Sequence, residues 1–160
     1  MWRTLREGDN AVPVAGFGRK GQRMAEKVEL RLTGRQRDET GEENVTELLT
    51  EAQLFRRNGS IVILYEETQE GVGTKNTLKL KGDVLELVKA GSVRTRMTFQ
   101  EGKEYLSDYA TPYGCLQMGI RTDALTVFRE ERQIEIRIEY ALTSGGEPVS
   151  DCMLTIQAVL

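Results

Sequence analysis

Apolar and polar residues alternate along most of the chain from residue 27 onward. In the first such segment, Val28, Leu30 and Leu32 share one side, and the residues between them are charged. Because successive side chains of a β-strand point to opposite faces, this alternation predicts strands that bury one face and expose the other. The pattern therefore predicts a protein built mainly from β-strands.

Turn-forming residues divide this pattern into about ten short strands. Pairs such as Gly82-Asp83 and Glu101-Gly102 separate neighbouring segments and favour tight hairpin turns. The predicted strands comprise residues 28–33, 45–55, 60–68, 74–81, 84–89, 92–99, 103–109, 115–122, 125–129, 134–142 and 149–159. Residues 45–55 also fit an amphipathic helix, so propensity favours a helix there, while the neighbouring strands favour a strand.

The order of the predicted strands favours a closed barrel over a two-sheet sandwich. Successive hairpins need only short connections, and no long Greek-key return connection is visible. Closure of the sheet also removes exposed strand edges. We therefore predict an all-β fold, an antiparallel up-and-down β-barrel of about 8–10 strands.

The first 26 residues differ from the rest of the chain. They are rich in glycine and arginine and show neither a strand period nor a helical one. We predict a flexible N-terminal arm over residues 1–26 and a single barrel domain over residues 27–160. Met24 lies just before the first patterned strand, so a start of translation at Met24 and a start at Met1 both remain open.

Composition narrows the chemistry that the 160 residues can perform. The sequence contains no histidine, which excludes Ser-His-Asp and Cys-His nucleophile systems and histidine-based zinc sites. The two cysteines, Cys115 and Cys152, have no metal-binding spacing. We predict both to be small buried side chains, with a disulfide between them as the alternative. We expect no enzyme activity, no cofactor and no metal.

Charge and apolar runs bear on partners and location. The net charge of −3 argues against general affinity for nucleic acid. No apolar run approaches the roughly 18 residues of a membrane helix, and the N-terminal segment lacks the apolar core of an export signal. We expect a cytoplasmic protein that binds neither nucleic acid nor membranes. The glycine pattern at residues 16–21 has dinucleotide-motif spacing without the required strand and helix, so we interpret it as part of the arm.

A pair of neighbouring glutamates supplies the first candidate ligand contacts. Glu66 and Glu67 are adjacent on a predicted strand, so only one of them can point into the barrel. If Glu66 points inward, it needs a buried cationic partner, for which Arg94 and Arg96 are the candidates. Such an internal ion pair would either fix the strand register or mark a polar ligand site.

Tyrosines supply the other candidates. Tyr109, Tyr113 and Tyr140 combine an apolar ring with a hydroxyl group, so they could line a barrel mouth and hydrogen-bond to a ligand. They could equally belong to the core and to a turn. Residues 111–114 read Thr-Pro-Tyr-Gly, and the fixed φ of proline and the free φ of glycine are sufficient to explain a tight turn.

The chain also carries a series of short motifs in a fixed order. They are Tyr65-Glu66-Glu67-Thr68, Thr77-Leu78, Gly91, Arg96-Met97-x-Phe99, Tyr109-x-Thr111-Pro112-Tyr113-Gly114, Thr122 and Ile138-Glu139-Tyr140-x-Leu142. In order and spacing, they resemble the bacterial YwiB-like family over residues 27–159. This resemblance implies a barrel similar to the calycins, the lipocalin-type β-barrels, and a strand over residues 45–55. It implies no established activity and no catalytic residues.

These observations lead to two expectations about function. The first is a non-catalytic barrel that binds a small molecule in or near its lumen, with Glu66, Arg96, Tyr109 and Tyr113 as contacts. The alternative is a structural or interaction module, for example a homodimer, in which the barrel is a scaffold for a protein partner.

Overall fold

Ten antiparallel strands form a closed barrel in the computed structural model, which describes residues 25–69 and 72–160. The strands are β1 Glu26–Asp38, β2 Glu43–Arg57, β3 Ser60–Gln69, β4 Val72–Lys81, β5 Val84–Ala90, β6 Arg94–Gln100, β7 Glu104–Thr111, β8 Gly114–Arg129, β9 Gln133–Ser144 and β10 Glu147–Val159. Each strand pairs with the next one along the chain, and β1 pairs with β10. The predicted antiparallel up-and-down β-barrel is therefore confirmed, and residues 45–55 lie in a strand.

Apolar side chains fill the interior of the barrel over its lower and middle levels. We call the end with the β2–β3, β4–β5, β6–β7 and β8–β9 turns the lower end, and the opposite end the upper end. The inward-facing core side chains are almost fully buried and include Leu30, Leu54, Leu80, Leu85, Phe99, Ile120, Ile138 and Ile156. Removal of these side chains from water is the main force that stabilises the barrel.

Strand β8 joins two segments that the sequence predicted as separate strands, so the predicted break near residue 123 is wrong. The register against β9 shifts between Thr122 and Ala124, which marks a β-bulge. The carboxylate of Glu101 accepts a hydrogen bond from the backbone N–H of Leu125, at 3.0 Å, just beyond the bulge. The bulge places one extra residue in β8 without ending the strand.

At two places in the barrel wall, neighbouring strands share few backbone hydrogen bonds. Strand β2 pairs with β3 only over residues 53–57, so within the described chain residues 43–52 of β2 pair with β1 alone. Backbone pairing between β6 and β7 is limited, over the described strands, to Arg94 with Ala110 and Thr95 with Tyr109. We call the remainder of this junction the β6–β7 seam. There, Ser107 Oγ donates to the carbonyl oxygen of Arg96 at 2.8 Å, so a side chain replaces a backbone donor.

The two cysteines occupy different environments. Cys152 is buried, as predicted, whereas Cys115 is exposed near the start of β8, so the prediction that both are buried is wrong. Both are free thiols. Cys115 is exposed because its side chain points outward from a part of β8 that pairs only with β7 among the described strands.

The structure describes neither the first 24 residues nor residues 70–71. Residues 1–24, which include most of the predicted arm and the glycine pattern at residues 16–21, lie outside the described residues. Within residues 25–69 and 72–160, no helix has the length and apolarity required to cross a membrane.

Candidate functional site

Two of the four predicted contacts lie on the outer face of the barrel. Glu66 is exposed, and Arg96 is exposed and pairs with Glu86 across β5 and β6, with 3.0 Å between Arg96 Nη1 and Glu86 Oε2. Glu66 therefore does not point inward, and the internal ion pair with Arg94 or Arg96 that an inward Glu66 would need is not formed. The physical reason is pleat parity, because the inward-facing residues of β3 are the odd-numbered ones, such as Ile63 and Tyr65.

The predicted tyrosine contacts are separated by the β7–β8 hairpin. Tyr109 faces the interior in register with Leu116, whereas Tyr113 is 98% exposed at the hairpin tip. Residues 111–114 form the tight turn that proline and glycine favour, and Thr111 Oγ1 accepts a hydrogen bond from the backbone N–H of Tyr113 at 3.1 Å. Whether any of the four residues binds a ligand remains a prediction.

A cluster of three polar side chains lies inside the upper part of the barrel instead. Glu67 on β3, Asn76 on β4 and Lys89 on β5 all face inward. Glu67 Oε1 accepts hydrogen bonds from Asn76 Nδ2 and from Lys89 Nζ, each at 2.9 Å. The side chains of Lys89 and Glu67 are 25% and 34% exposed, so the ion pair is half-buried. We call these three residues the polar cluster.

Asn76 is the most deeply buried member of the polar cluster. Its residue exposure is 0%, and its carbonyl oxygen Oδ1 has no hydrogen-bond partner. The amide orientation is fixed by chemistry, because only the nitrogen can donate to the Glu67 carboxylate. A buried acceptor without a partner destabilises the fold by about 1–3 kcal/mol, so the position of this oxygen calls for an explanation.

Two tyrosines lie in the interior, and one of them is next to the polar cluster. Tyr65 is buried beside Asn76 in the β3–β4 register, and burial, together with the negative charge of Glu67, raises the pKa of the Tyr65 hydroxyl. On the opposite wall, burial raises the pKa of Tyr140, and the neighbouring Cys152 thiol and Tyr109 hydroxyl raise it further. Both phenols therefore stay protonated and act as neutral hydrogen-bonding groups at physiological pH.

Further polar groups line the interior. Thr95 and Ser107 are buried, with 3.0 Å between their hydroxyl oxygens. Because Ser107 uses its hydrogen to bond the carbonyl of Arg96, Thr95 is the donor in this contact. Thr122, in register with Tyr140, has a buried hydroxyl without a partner.

Inward-facing side chains become accessible towards the upper end of the barrel. On β8, Ile120 is 1% exposed, whereas Leu116, which faces the same way and lies four residues closer to the upper end, is 64% exposed. On β5, Leu87 is buried and Lys89 is partly exposed. Inward-facing side chains are therefore more accessible towards the upper end, which we call the barrel mouth, and the polar cluster lies at this end of the apolar core.

A separate recess on the outer wall is a weaker candidate. It has a volume of about 500 Å³ and is lined by Val127, Phe128, Arg129, Glu130, Gln133, Glu135 and Arg137. Two of its charged groups pair with each other, because Arg137 Nε donates to Glu135 Oε2 at 2.6 Å. The Arg137 guanidinium also lies 5.3 Å from the centre of the Phe128 ring.

The polar cluster does not resemble a metal centre. Across residues 25–69 and 72–160, no group of three or more Cys, Asp and Glu side chains converges as metal ligands would. The single carboxylate of the cluster, from Glu67, is already bonded to an ammonium and an amide group.

Fold and site together define a small closed β-barrel with polar groups inside its upper mouth. The chain belongs to the family described as a domain of unknown function (DUF1934), which matches residues 30–156. The predicted membership of a YwiB-like family of unknown function is therefore confirmed. A search of the curated proteins found no match.

A solved structure supports the fold. The chain is similar to the crystal structure of the ywiB protein from Bacillus subtilis, with a TM-score of 0.77 and 18% sequence identity. The match covers 87% of this chain and 94% of that chain. At this level of identity, the likeness shows a common barrel fold and carries no information about a ligand.

Proposed function

We propose that this protein is a non-catalytic binding protein, located in the cytoplasm, that holds a small molecule in the barrel mouth. The observation that carries the proposal is the carbonyl oxygen of Asn76, which is buried inside the mouth without a hydrogen-bond partner. Stability alone would favour an apolar residue at this position, because an unpartnered buried acceptor is destabilising. A ligand that donates a hydrogen bond to this oxygen would remove the destabilisation that the unpartnered acceptor causes.

The surroundings of Asn76 support binding rather than catalysis. Ligand sites combine apolar and aromatic walls with a few fixed polar groups, and the mouth offers this combination. The Glu67 carboxylate is engaged by Lys89 and Asn76 rather than left to transfer a proton. A barrel similar to the calycins would place a ligand at this end of the lumen, which is an analogy of fold alone.

Native mass spectrometry of the protein purified from its own cells tests this proposal. We expect a bound small molecule, released on denaturation, that is lost in the variant Asn76→Leu. The matched control is Gln53→Leu, which removes an exposed amide from the outer face of β2 and keeps the ligand. A clean mass without any bound molecule would contradict the proposal.

A second function, that of an interaction module, is favoured by the outer part of β2. Val45 and Leu49 are exposed on the outer face of a strand segment that, within the described chain, hydrogen-bonds only to β1. An apolar face beside a free strand edge is suited to pairing with a second copy of the chain. Sedimentation equilibrium tests this function. A dimer that the variant Leu49→Lys dissociates would support it, and a monomer at all concentrations would contradict it.

A further inference from the structure

The polar cluster constrains the chemistry of the ligand. On the basis of the proposed binding function, we infer that the ligand is an uncharged molecule with a flat apolar body and an N–H or O–H group that donates to Asn76 Oδ1. Three properties of the site lead to this class. They are the fixed orientation of the Asn76 amide, the neutrality of the ion pair between Glu67 and Lys89, and the tyrosine side chains at the same level of the barrel.

The orientation of Asn76 determines that the ligand is a donor. Its nitrogen is committed to Glu67 Oε1 at 2.9 Å, so the oxygen is the part of this amide that is left without a hydrogen-bond partner. The amide cannot rotate by 180° without bringing its oxygen against a carboxylate oxygen. The site therefore discriminates against molecules that offer only acceptors, because such molecules leave the buried oxygen unpaired.

The ion pair between Glu67 and Lys89 determines that the ligand is uncharged. Their contact of 2.9 Å already balances one negative and one positive charge inside the mouth. An anionic ligand would have to take Lys89 from Glu67, and a cationic ligand would have to take Glu67 from Lys89. In either case a half-buried charge would lose its ionic partner, which disfavours a charged ligand relative to an uncharged one.

The walls of the mouth determine the shape of the ligand body. Tyr65 and Tyr109 present aromatic rings at this level, and Leu116 adds an exposed apolar side chain that faces inward. Asn76 Oδ1 is covered in this conformation, so a ligand enters only if neighbouring side chains move. Met97 and Met118, which face inward and are partly buried, are unbranched and can repack around a flat molecule.

Two dyes with the same aromatic body test this class. N-phenyl-1-naphthylamine is uncharged and has one N–H donor, whereas 8-anilino-1-naphthalenesulfonate adds a sulfonate group to the same body. Fluorescence titration of the full chain should show that the uncharged dye binds about tenfold more tightly than the sulfonate. In Asn76→Leu, affinity for the uncharged dye should fall about fivefold to tenfold, as expected for one lost hydrogen bond. In Gln53→Leu it should not change.

A charge variant keeps the test decisive if Asn76→Leu does not fold. Glu67→Gln leaves Lys89 as a cation without its carboxylate partner, so the sulfonate dye should gain affinity and the preference for the uncharged dye should fall about tenfold. Thermal melting of each variant confirms that the barrel is intact.

The outcomes separate the ligand class from the proposed function. If the sulfonate dye binds wild type as tightly as the uncharged dye, and Asn76→Leu weakens both, the uncharged class is wrong while binding in the mouth stands. If neither dye binds, or if neither variant changes their binding, the inferred class is wrong. The native mass spectrum then decides the proposed function independently.

Discussion

Phe99 and Tyr140 meet edge to face inside the barrel, with 5.0 Å between their ring centres and 67° between their planes. Strands β6 and β9, which carry them, are not neighbours in the sheet, so the contact spans the interior rather than one ladder. Phe99 is fully buried. The contact ties two strands on different sides of the barrel to each other, and burial together with the neighbouring Cys152 thiol raises the pKa of the Tyr140 hydroxyl.

Replacement of Phe99 by alanine should lower the free energy of unfolding by about 3–5 kcal/mol, because the variant loses a large buried side chain and leaves a cavity. Urea denaturation measures the change. Phe128→Ala is the matched control, since Phe128 is an exposed aromatic residue on the outer wall. Its replacement should lower the free energy of unfolding much less. Equal losses for the two variants would show that Phe99 does not anchor the interior.

Gly119 allows a close approach on the outer face of β8. A Cβ atom at this position would collide with Thr143 Oγ1 and lie 2.5 Å from Glu104 Oε2. These two groups are hydrogen-bonded at 2.9 Å over the glycine. Gly119→Ala should therefore break that bond and lower the free energy of unfolding by about 1–3 kcal/mol. Gly73→Ala, where a Cβ meets no atom within 4 Å, is the control and should change stability by less than about 0.5 kcal/mol.

Buried tyrosines should make the protein sensitive to alkali. The pKa values of Tyr65 and Tyr140 are raised above 10.0, chiefly by burial, so the folded state keeps protons that the unfolded state begins to lose near that pH. Stability is thus fully present below about pH 10 and falls above it, by at most about 1.4 kcal/mol per pH unit for each tyrosine. Chemical denaturation from pH 8 to 11 measures the slope.

Tyr65→Phe and Tyr140→Phe should each reduce the fall in the free energy of unfolding above about pH 10, because phenylalanine has no proton to release. Tyr113→Phe, at the exposed hairpin tip, is the control and should follow the wild-type curve. The assignment would be incorrect if the Tyr113 variant flattened the curve as much as the buried ones.

The two thiols should react at very different rates. Cys115 is exposed, whereas Cys152 is buried, and burial raises the pKa of its thiol despite the hydrogen bond from Tyr140. Since the thiolate is the reactive form, Ellman's reagent should modify one cysteine rapidly and the other only on unfolding. Cys115→Ser should abolish the rapid phase. Two rapid phases in the wild type would mean that the upper barrel opens readily.

Strand alternation explains why much of the fold was predictable. In β1 and β9, apolar residues occupy every second position, and Val28, Leu30, Ile136 and Ile138 are all buried as the pattern requires. In β3, residues 61–64 read Ile-Val-Ile-Leu, so no period of two distinguishes the faces. Val62 and Leu64 face outward, where Val62 pairs with Phe55 of β2. For this reason the sequence leaves open which of Glu66 and Glu67 points into the barrel, and the structure shows that it is Glu67.

The polar cluster was only partly visible in the sequence. Asn76 lies two residues before Leu78, and Lys89 lies two residues after Leu87, so parity alone places both on the inward face. The signal in the sequence is a polar residue at a position where the alternation of the strand calls for a buried apolar one. This signal could have identified Asn76 and Lys89 as interior residues. Their meeting with Glu67 depends on the register of three strands, which single-strand patterns do not contain.

Closure of the barrel has a consequence for how the protein is made. Strands β2 to β10 can each pair with the strand synthesised just before it, but the free edge of β1 is covered only by β10. Gln36 and Ser150, which hydrogen-bond across this junction at 3.0 Å, are 114 residues apart. A nascent chain therefore leaves the ribosome with an open, growing sheet, and the edge of β1 is exposed to aggregation and to chaperones until β10 emerges.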